Sequence, residues 1–168
     1  MDQNPTLELE PPRFERGKAF LIAGLKGHYQ ANQTQAIPAQ WQRFVPYLGT
    51  LPGQVGRKAY GVCYNSDETG SFDYLCGVEV ASPVGLPPEL SSVSIPEQHY
   101  AVFAHRGPLS RLGETFAAIW NQWLPGSGHQ AAESPSLEVY PEEFDPQTNP
   151  AGVEIWLPIK ASTHDARP

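Results

Sequence analysis

The sequence predicts an α+β fold built from two pseudo-symmetric β-α-β-β units. Strand-like and helix-like runs occur twice in the same order along the 168 residues. The two halves also share an offset, since Lys26-Gly27 and Arg106-Gly107 lie 80 residues apart. Ala81-Ser82 and Ala161-Ser162 have the same separation. The composition, 40% hydrophobic with 18 Pro and 15 Gly, is typical of one folded domain of short elements joined by many turns.

The first unit begins with a strand over residues 18–25. A helix is predicted between Pro38 and Gly49, where apolar residues recur at i, i+3, i+4 and i+7. These residues are Trp41, Phe44, Val45 and Leu48. Strands over residues 59–64 and 72–80 follow, and the turn-forming stretch between them suits a hairpin.

The second unit repeats this order, with strands over residues 100–105, 137–140 and 153–159 and a helix over residues 109–123. The helix carries one apolar stripe, made of Leu112, Phe116, Ile119, Trp120 and Trp123. A proline-rich connector over residues 81–89 and an extra strand over residues 90–95 join the two units.

The predicted domain spans residues 14–162, with pseudo-repeats at about 18–82 and 98–162. Residues 1–13 are expected to form a tail, or an edge strand through Leu7 and Leu9, and residues 163–168 a second tail. Joining two such units around a pseudo-twofold axis would bury a face of each sheet in one core. Ligand sites favour such junctions.

Charge and cysteine content exclude several classes of function. The formal charge is −7, and residues 85–168 carry −6 of it with 4 basic and 10 acidic side chains. No Lys/Arg cluster is present to neutralise phosphates, so direct nucleic-acid binding is not expected. Cys63 and Cys76 lack the spacing of a zinc site or a disulfide framework and are predicted to be buried thiols.

The remaining composition points to a cytoplasmic protein without a cofactor. No apolar stretch approaches the roughly 20 residues that span a bilayer, so no membrane association is expected. The N-terminus lacks the basic and apolar regions of a signal peptide. The five histidines show no metal-binding spacing, so no metal site is predicted.

Glu138 is the most informative residue, because a carboxylate inside a strand-like run is costly unless something compensates its charge. Strand alternation places Glu138 and Tyr140 on one face. The duplication pairs Tyr64 with Tyr140 and Cys76 with Trp156, so Tyr60 and Tyr64 are also predicted to face the pocket. Val62 then occupies the position that corresponds to Glu138, which leaves a single carboxylate near the pseudo-axis.

A single carboxylate surrounded by Tyr and Trp side chains is the arrangement that recognition of a lipophilic cation requires. Aromatic faces attract the cation through their quadrupoles and bury its apolar bulk, while the carboxylate supplies the opposite charge. The alternative interpretation is that Glu138 is a solvated strand residue and the aromatic side chains belong to an ordinary core.

Four runs in this order resemble the GyrI-like small-molecule-binding family, which includes the effector-binding domains of AraC-type and MerR-type multidrug regulators. The runs are residues 60–64, 72–80, 137–140 and 153–159. The similarity covers residues 14–161. It implies two pseudo-symmetric β-α-β-β units with curved antiparallel sheets, two helices and a central cleft for amphipathic, often cationic, aromatic compounds.

The resemblance also implies roles for individual residues. In the family a glutamate of the penultimate strand anchors the charge of the ligand, and Glu138 matches it. The pocket-lining aromatic of the closing strand corresponds to Trp156. Phe116 and Trp120 are predicted to contribute from the second helix. Strand parity and internal symmetry add Tyr140, Tyr60 and Tyr64 to the predicted ligand-binding residues.

Three functions remain open. Because only residues 1–13 precede the domain, we expect the stand-alone form of the family, without a helix-turn-helix. The favoured function is a module that senses or sequesters a drug or toxin, as an effector domain does for a transcription regulator. The first alternative is a hydrolase of cyclopropane-bearing toxins, in which Glu138 acts as general base. The second is an interaction protein that docks on gyrase or on a regulator.

Overall fold

A computed structural model describes residues 9–145 and 151–160 of the chain, which form one antiparallel sheet of eight strands packed against helices. The strands are β1 (Arg13–Gly17), β2 (Phe20–Tyr29), β3 (Gln54–Tyr64), β4 (Phe72–Val80), β5 (Ser91–Ile95), β6 (Gln98–Ala104), β7 (Ser136–Tyr140) and β8 (Glu154–Ile159). Their order in the sheet is β1-β6-β8-β7-β3-β4-β2-β5.

The strand order is symmetric about the β3–β7 pair. From β3 the sheet continues through β4 and β2, and from β7 it continues through β8 and β6. Each half thus contains the three strands of one unit, followed by an added edge strand. The added strand is β5 in one half and β1 in the other. This is the predicted α+β arrangement of two β-α-β-β units. The units share one continuous sheet because their penultimate strands are hydrogen-bonded to each other.

The sheet is strongly curled, as two short links show. β1 and β2 lie six strand positions apart, which would be about 29 Å in a flat sheet. The chain from Gly17 to Phe20 spans at most about 11 Å. β5 and β6 are equally far apart in the sheet and are joined by an equally short link, from Ile95 to Gln98. The two ends of the sheet must therefore approach each other.

The curl gives the sheet an inner face and an outer face. The buried cluster of the inner face consists of Ile22, Val62, Leu75, Ile95, Tyr100, Val102, Leu137 and Val139, all from strands. The outer face holds two further clusters, one for each unit. The helices pack against these clusters, so the inner face is buried by curvature and the outer face by helices.

Two helical segments cover the outer face. α1 (Ile37–Phe44) has 3₁₀ turns on both sides, at Ala31–Ala36 and Val45–Tyr47. α2 (Leu112–Ala118) continues through a π-helical turn at Ile119–Trp123 into α3 (Leu124–Ser127). No helix of the described residues has the length and apolar character that crossing a membrane demands.

The first helix ends earlier than predicted. Pro46 cannot donate a backbone hydrogen bond, and the α-helix ends at Phe44 and tightens into the 3₁₀ turn that contains this proline. As a result Val45 and Leu48, predicted as part of the buried stripe, are exposed. The polar side chain of Gln40 is completely buried instead.

The second helix departs from the predicted stripe at Trp120, which is 45% exposed. Leu112 and Ile119 are buried as predicted, and Phe116 and Trp123 pack against the outer-face cluster of their unit. The π-helical turn begins at Ile119, and its wider spacing breaks the regular periodicity on which the stripe was based.

The chain termini also differ from expectation. The N-terminal edge strand is β1, which pairs with β6, and Leu9 lies outside any strand but packs against the outer face. Leu7, Ala161-Ser162 and the predicted tail at 163–168 lie outside the described residues.

Candidate ligand-binding site

Glu138 lies at the centre of the sheet, on the outer face. The β3–β7 ladder contains five residue pairs, and Gly61 opposite Glu138 is the middle one. Glu138 is only 7% exposed. The predicted position of Glu138 near the junction of the two units therefore agrees with the structure. The alternative, in which Glu138 is a solvated strand residue, does not.

Two tyrosine hydroxyls hold the carboxylate. Tyr74 on β4 and Tyr140 on β7 each donate a hydrogen bond to Glu138 Oε1, at 2.6 and 2.7 Å. Trp41 on α1 donates from Nε1 to Tyr74 Oη at 2.9 Å. We call Glu138, Tyr74, Tyr140 and Trp41 the carboxylate cage. Its members come from both units and from three elements.

Because Gly61 has no side chain, the space above it is free for the Glu138 carboxylate and the Tyr74 hydroxyl. A Cβ atom at this position would lie 2.3 Å from Glu138 Oε1 and 2.2 Å from Tyr74 Oη. Such distances are far below van der Waals contact, so a side chain here would displace the carboxylate or the tyrosine. A glycine inside a strand often marks such a close approach.

Trp41 closes the cage on the helix side. Its ring meets Tyr140 edge-on, with centroids 5.1 Å apart, and the tilted ring of Phe144 also contacts Tyr140, with centroids 5.0 Å apart. Trp41 packs against the outer-face clusters of both units. The carboxylate is thus closed off beneath an indole that bridges the two halves of the molecule.

Burial controls the electrostatics of the cage. Desolvation raises the pKa of Glu138, and the hydrogen bonds from Tyr74 and Tyr140 only partly oppose this. No Lys, Arg or His of the described residues forms an ion pair with Glu138. Burial and the nearby Glu138 charge also raise the pKa of the Cys63 thiol. Within the part of the chain that the structure describes, the acidic group of the site therefore lacks an oppositely charged partner.

The structure separates the predicted ligand-binding residues. Glu138, Tyr140 and Phe116 lie on the outer face, the last two in one cluster, and Trp120 is exposed. The other three, Tyr60, Tyr64 and Trp156, pack against the inner-face cluster. The prediction that all seven line one pocket is therefore wrong.

The error comes from the assumed equivalence of the two units. Residues directly opposite each other on paired strands share a face. Glu138 pairs with Gly61 and Leu137 pairs with Val62, so Val62 and Glu138 lie on opposite faces and are not symmetry mates. The same rule separates Trp156, which pairs with Leu137, from Glu138.

Sequence reasoning missed Tyr74, Trp41 and Gly61. Gly61 carried a signal, since a glycine interrupts the strand-like run between Tyr60 and Val62. Tyr74 reaches Glu138 across β3, so the sheet order was needed to find it. Trp41 was predicted as part of an apolar helix stripe. The hydrogen bond from its indole N–H to Tyr74 could not be predicted, because it depends on where α1 lies on the sheet.

Comparison with known proteins identifies related sequences. The family model for the GyrI-like small molecule binding domain matches residues 10–160. The transcriptional regulator BrlR of Pseudomonas aeruginosa is 28% identical over 143 residues, which are 84% of this chain and 52% of BrlR. The chain thus spans about half the length of this curated relative.

Solved structures share the fold. SAV2435 in its complex with tetraphenylphosphonium has a TM-score of 0.70 at 19% identity, over 95% of this chain and 99% of that chain. An integron cassette protein of Vibrio cholerae, VCH_CASS2, has a TM-score of 0.67 at 20% identity, over 90% and 97%. The EcmrR C-terminal domain has a TM-score of 0.63 at 13% identity, over 92% and 99%.

Proposed function

We propose that this chain, which belongs to the family of GyrI-like small molecule binding domains, binds amphipathic aromatic cations through Glu138. The observation that carries the proposal is the buried carboxylate without a cationic partner among the described residues. Ionising such a group is costly unless an opposite charge comes close. A cationic ligand would supply that charge.

The surrounding rings suit an aromatic cation. Trp41, Tyr74, Tyr140 and Phe144 lie within one connected group of hydrogen bonds and ring contacts around Glu138. Their faces attract positive charge, and their area replaces water around the apolar part of a ligand. The two hydroxyl groups keep the carboxylate in position for the incoming charge.

Entry of the ligand requires displacement of Trp41, and we propose that α1 moves to allow it. α1 has only eight residues, lacks a side-chain hydrogen bond at its N-terminus and is followed by a turn containing Pro46. Helices of this length depend on tertiary packing for stability. A local rearrangement of α1 therefore costs less than opening the sheet.

The relatives support this choice of ligand class. Tetraphenylphosphonium, bound by SAV2435, is a lipophilic aromatic cation. The match to the regulator BrlR supports a role in which ligand binding is sensed by a transcription regulator. Cys63 and Cys76 are free thiols, which suits action in the reducing cytoplasm.

The test compares tetraphenylphosphonium with neutral triphenylphosphine oxide by calorimetric titration. Glu138→Gln should weaken binding of the cation by about 3 kcal/mol, the Coulomb attraction of two unit charges roughly 6 Å apart at an effective dielectric constant of about 20, and leave the neutral compound nearly unchanged. Glu68→Gln, the same change at an exposed position in the turn between β3 and β4, is the control. An equal loss for both compounds in Glu138→Gln would contradict the role of the charge.

The same variant tests the hydrolase alternative. The raised pKa of Glu138 suits a general base, and hydrolysis of a cyclopropane-bearing alkylator would require the carboxylate. Turnover by the wild-type chain that disappears in Glu138→Gln would identify a hydrolase. Binding of the cation without turnover of such compounds would favour the binding module.

A further inference from the structure

A buried side-chain amide holds α1 on the outer face of the sheet. Gln40 is one of the two buried side chains of α1, and it is 0% exposed although it is polar. Its Nε2 donates to the backbone carbonyl oxygens of Leu25 on β2, at 2.8 Å, and of Tyr74 on β4, at 3.0 Å. Its Oε1 accepts a hydrogen bond from the Tyr29 hydroxyl. We call Gln40, Leu25, Tyr74 and Tyr29 the amide lock.

Gly27 makes room for the lock, as Gly61 does for the cage. It lies on β2 between Leu25 and Tyr29, and strand alternation places all three residues on the same face. A Cβ atom on Gly27 would lie 2.4 Å from Gln40 Oε1 and 2.9 Å from the Tyr29 ring. The amide thus occupies a recess in the sheet, where water cannot replace its hydrogen bonds while α1 stays in place.

Tyr74 belongs to both the lock and the cage. Its carbonyl oxygen accepts a hydrogen bond from Gln40, while its hydroxyl accepts one from Trp41 and donates one to Glu138. Gln40 and Trp41 are adjacent residues of α1. A helix movement that withdraws the Trp41 indole from the cage therefore also pulls the Gln40 amide out of the lock.

The lock defines the position of α1 more sharply than its apolar contacts do. The other buried side chain of the helix is Phe44, which packs in the outer-face cluster of its unit. Apolar burial is non-directional, whereas a buried polar network whose members are all paired specifies one arrangement. Withdrawal of Gln40 also leaves the buried Tyr29 hydroxyl without its acceptor, which is costly until water reaches it.

We propose that Gln40 is a positioning residue of the cation site and that the amide lock keeps this site closed until a ligand binds. The inference rests on the proposed function, in which the cation enters where α1 lies. Closed molecules then dominate without ligand, and the apparent affinity equals the intrinsic affinity reduced by the fraction of open molecules. The lock thereby controls the ligand concentration at which the site is filled.

Gln40→Met tests the lock, because it keeps the length and helix propensity of the side chain and removes the amide. Amides of α1 should exchange with solvent roughly tenfold faster or more in the ligand-free variant, since several net hydrogen bonds are lost. The affinity for tetraphenylphosphonium should rise by the same factor. Hydrogen exchange by mass spectrometry and calorimetric titration measure the two changes. A residue that only stabilises the fold would not raise the affinity.

Two further variants control this test. Tyr29→Phe removes only the hydrogen bond to Gln40 Oε1, so it should change exchange and affinity in the same direction by a smaller factor. Thr115→Val removes a buried hydrogen bond of the other helical segment, between Thr115 Oγ1 and His105 Nδ1 at 2.8 Å. It should lower the overall stability without changing α1 exchange or cation affinity. If Gln40→Met does not fold, Tyr29→Phe carries the same test.

The outcomes separate the lock from the proposed function. Unchanged α1 exchange in Gln40→Met and Tyr29→Phe would overturn the lock. Faster exchange with unchanged or weaker cation binding would overturn its control of the site. Failure of both wild-type protein and Gln40→Met to bind tetraphenylphosphonium would contradict the proposed function, while faster exchange would still show that the amide holds α1. Binding by the variant alone would support both.

Discussion

The carboxylate of Glu138 receives both of its hydrogen bonds from tyrosine hydroxyls, which stabilise it without cancelling its charge. A guanidinium in the same place would have made a buried ion pair, and an incoming cation would then have met a neutralised site. The hydroxyls keep the group oriented while its charge is left for another molecule. The absence of a neighbouring cation among the described residues is thus as informative as the carboxylate itself.

The stability of the protein should depend on pH through Glu138. Its pKa is raised above 4.5 in the folded state, so the folded chain holds this proton more tightly than the unfolded chain. The Glu138 contribution to the free energy of unfolding is therefore complete below about pH 4.5 and is lost as the pH rises through the folded-state pKa.

Glu138→Gln removes this titration, so its stability relative to wild type should increase as the pH rises toward neutrality. Urea unfolding across this pH range measures the difference. Glu68→Gln, in the turn between β3 and β4, is the matched control at an exposed position. A wild-type to Glu138→Gln difference that is constant with pH would contradict the expectation.

Gly61→Ala should damage the cage while leaving the chemistry of every cage residue intact. The added Cβ would collide with Glu138 Oε1 and Tyr74 Oη, and overpacking of this kind typically costs about 1–3 kcal/mol. Urea unfolding and tetraphenylphosphonium titration should both show a loss. Gly113→Ala is the control, because a Cβ in that position of α2 meets nothing within 4 Å. Equal stabilities of the two variants would mean that the cage can relax around the methyl group.

At the scale of elements, α1 differs from the longer helical segment of the other unit. It is bounded by 3₁₀ turns on both sides, and two apolar residues after it, Val45 and Leu48, are exposed. Segments with few buried contacts open with less free energy than core strands. We therefore expect the helix that carries Trp41 over the carboxylate to open more easily than the strands beneath it.

Hydrogen exchange should report this difference. Amides of α1 are expected to exchange faster than those of β3 and β7, and saturation with tetraphenylphosphonium should change exchange in α1 most. The segment from α2 to α3 is the internal control, since it has no direct hydrogen bond to the cage. Mass spectrometry of wild-type protein, free and bound, measures both. A change confined to α2 and α3 would place the moving element in the other unit.

Element order was predictable because periodicities of two and of 3.6 are local properties of the chain. The run at residues 72–80 has the same bounds as β4, whereas α1 ended early because a single proline outweighed the apolar pattern. Glu138 was found because a buried charge is unusual in any strand. Tyr74 and Trp41 were not, because their contacts depend on which strands are neighbours and on where a helix rests.

At the scale of the whole molecule, the curl of the sheet determines what each face can do. The outer face is closed by helices that can shift, and the inner face is closed by the approach of the two ends of the sheet. Sequence alternation distinguishes the two faces of each strand, but it does not show which faces of different strands lie on the same side of the sheet. That information lies in the pairing register, and a shift of one residue was enough to assign Tyr60 and Trp156 to the wrong face.

The placement of β1 has a consequence for folding during synthesis on the ribosome. β1 is made before the other seven strands, yet its hydrogen-bonding partner β6 begins at Gln98, and the partner of the central strand β3, β7, begins at Ser136. Pairings so distant in sequence form slowly compared with local ones. The first half can complete its β5 edge once Ile95 has been made, but the β1 edge requires β6 and the centre requires β7, so the whole sheet assembles only after β7 and β8 have emerged.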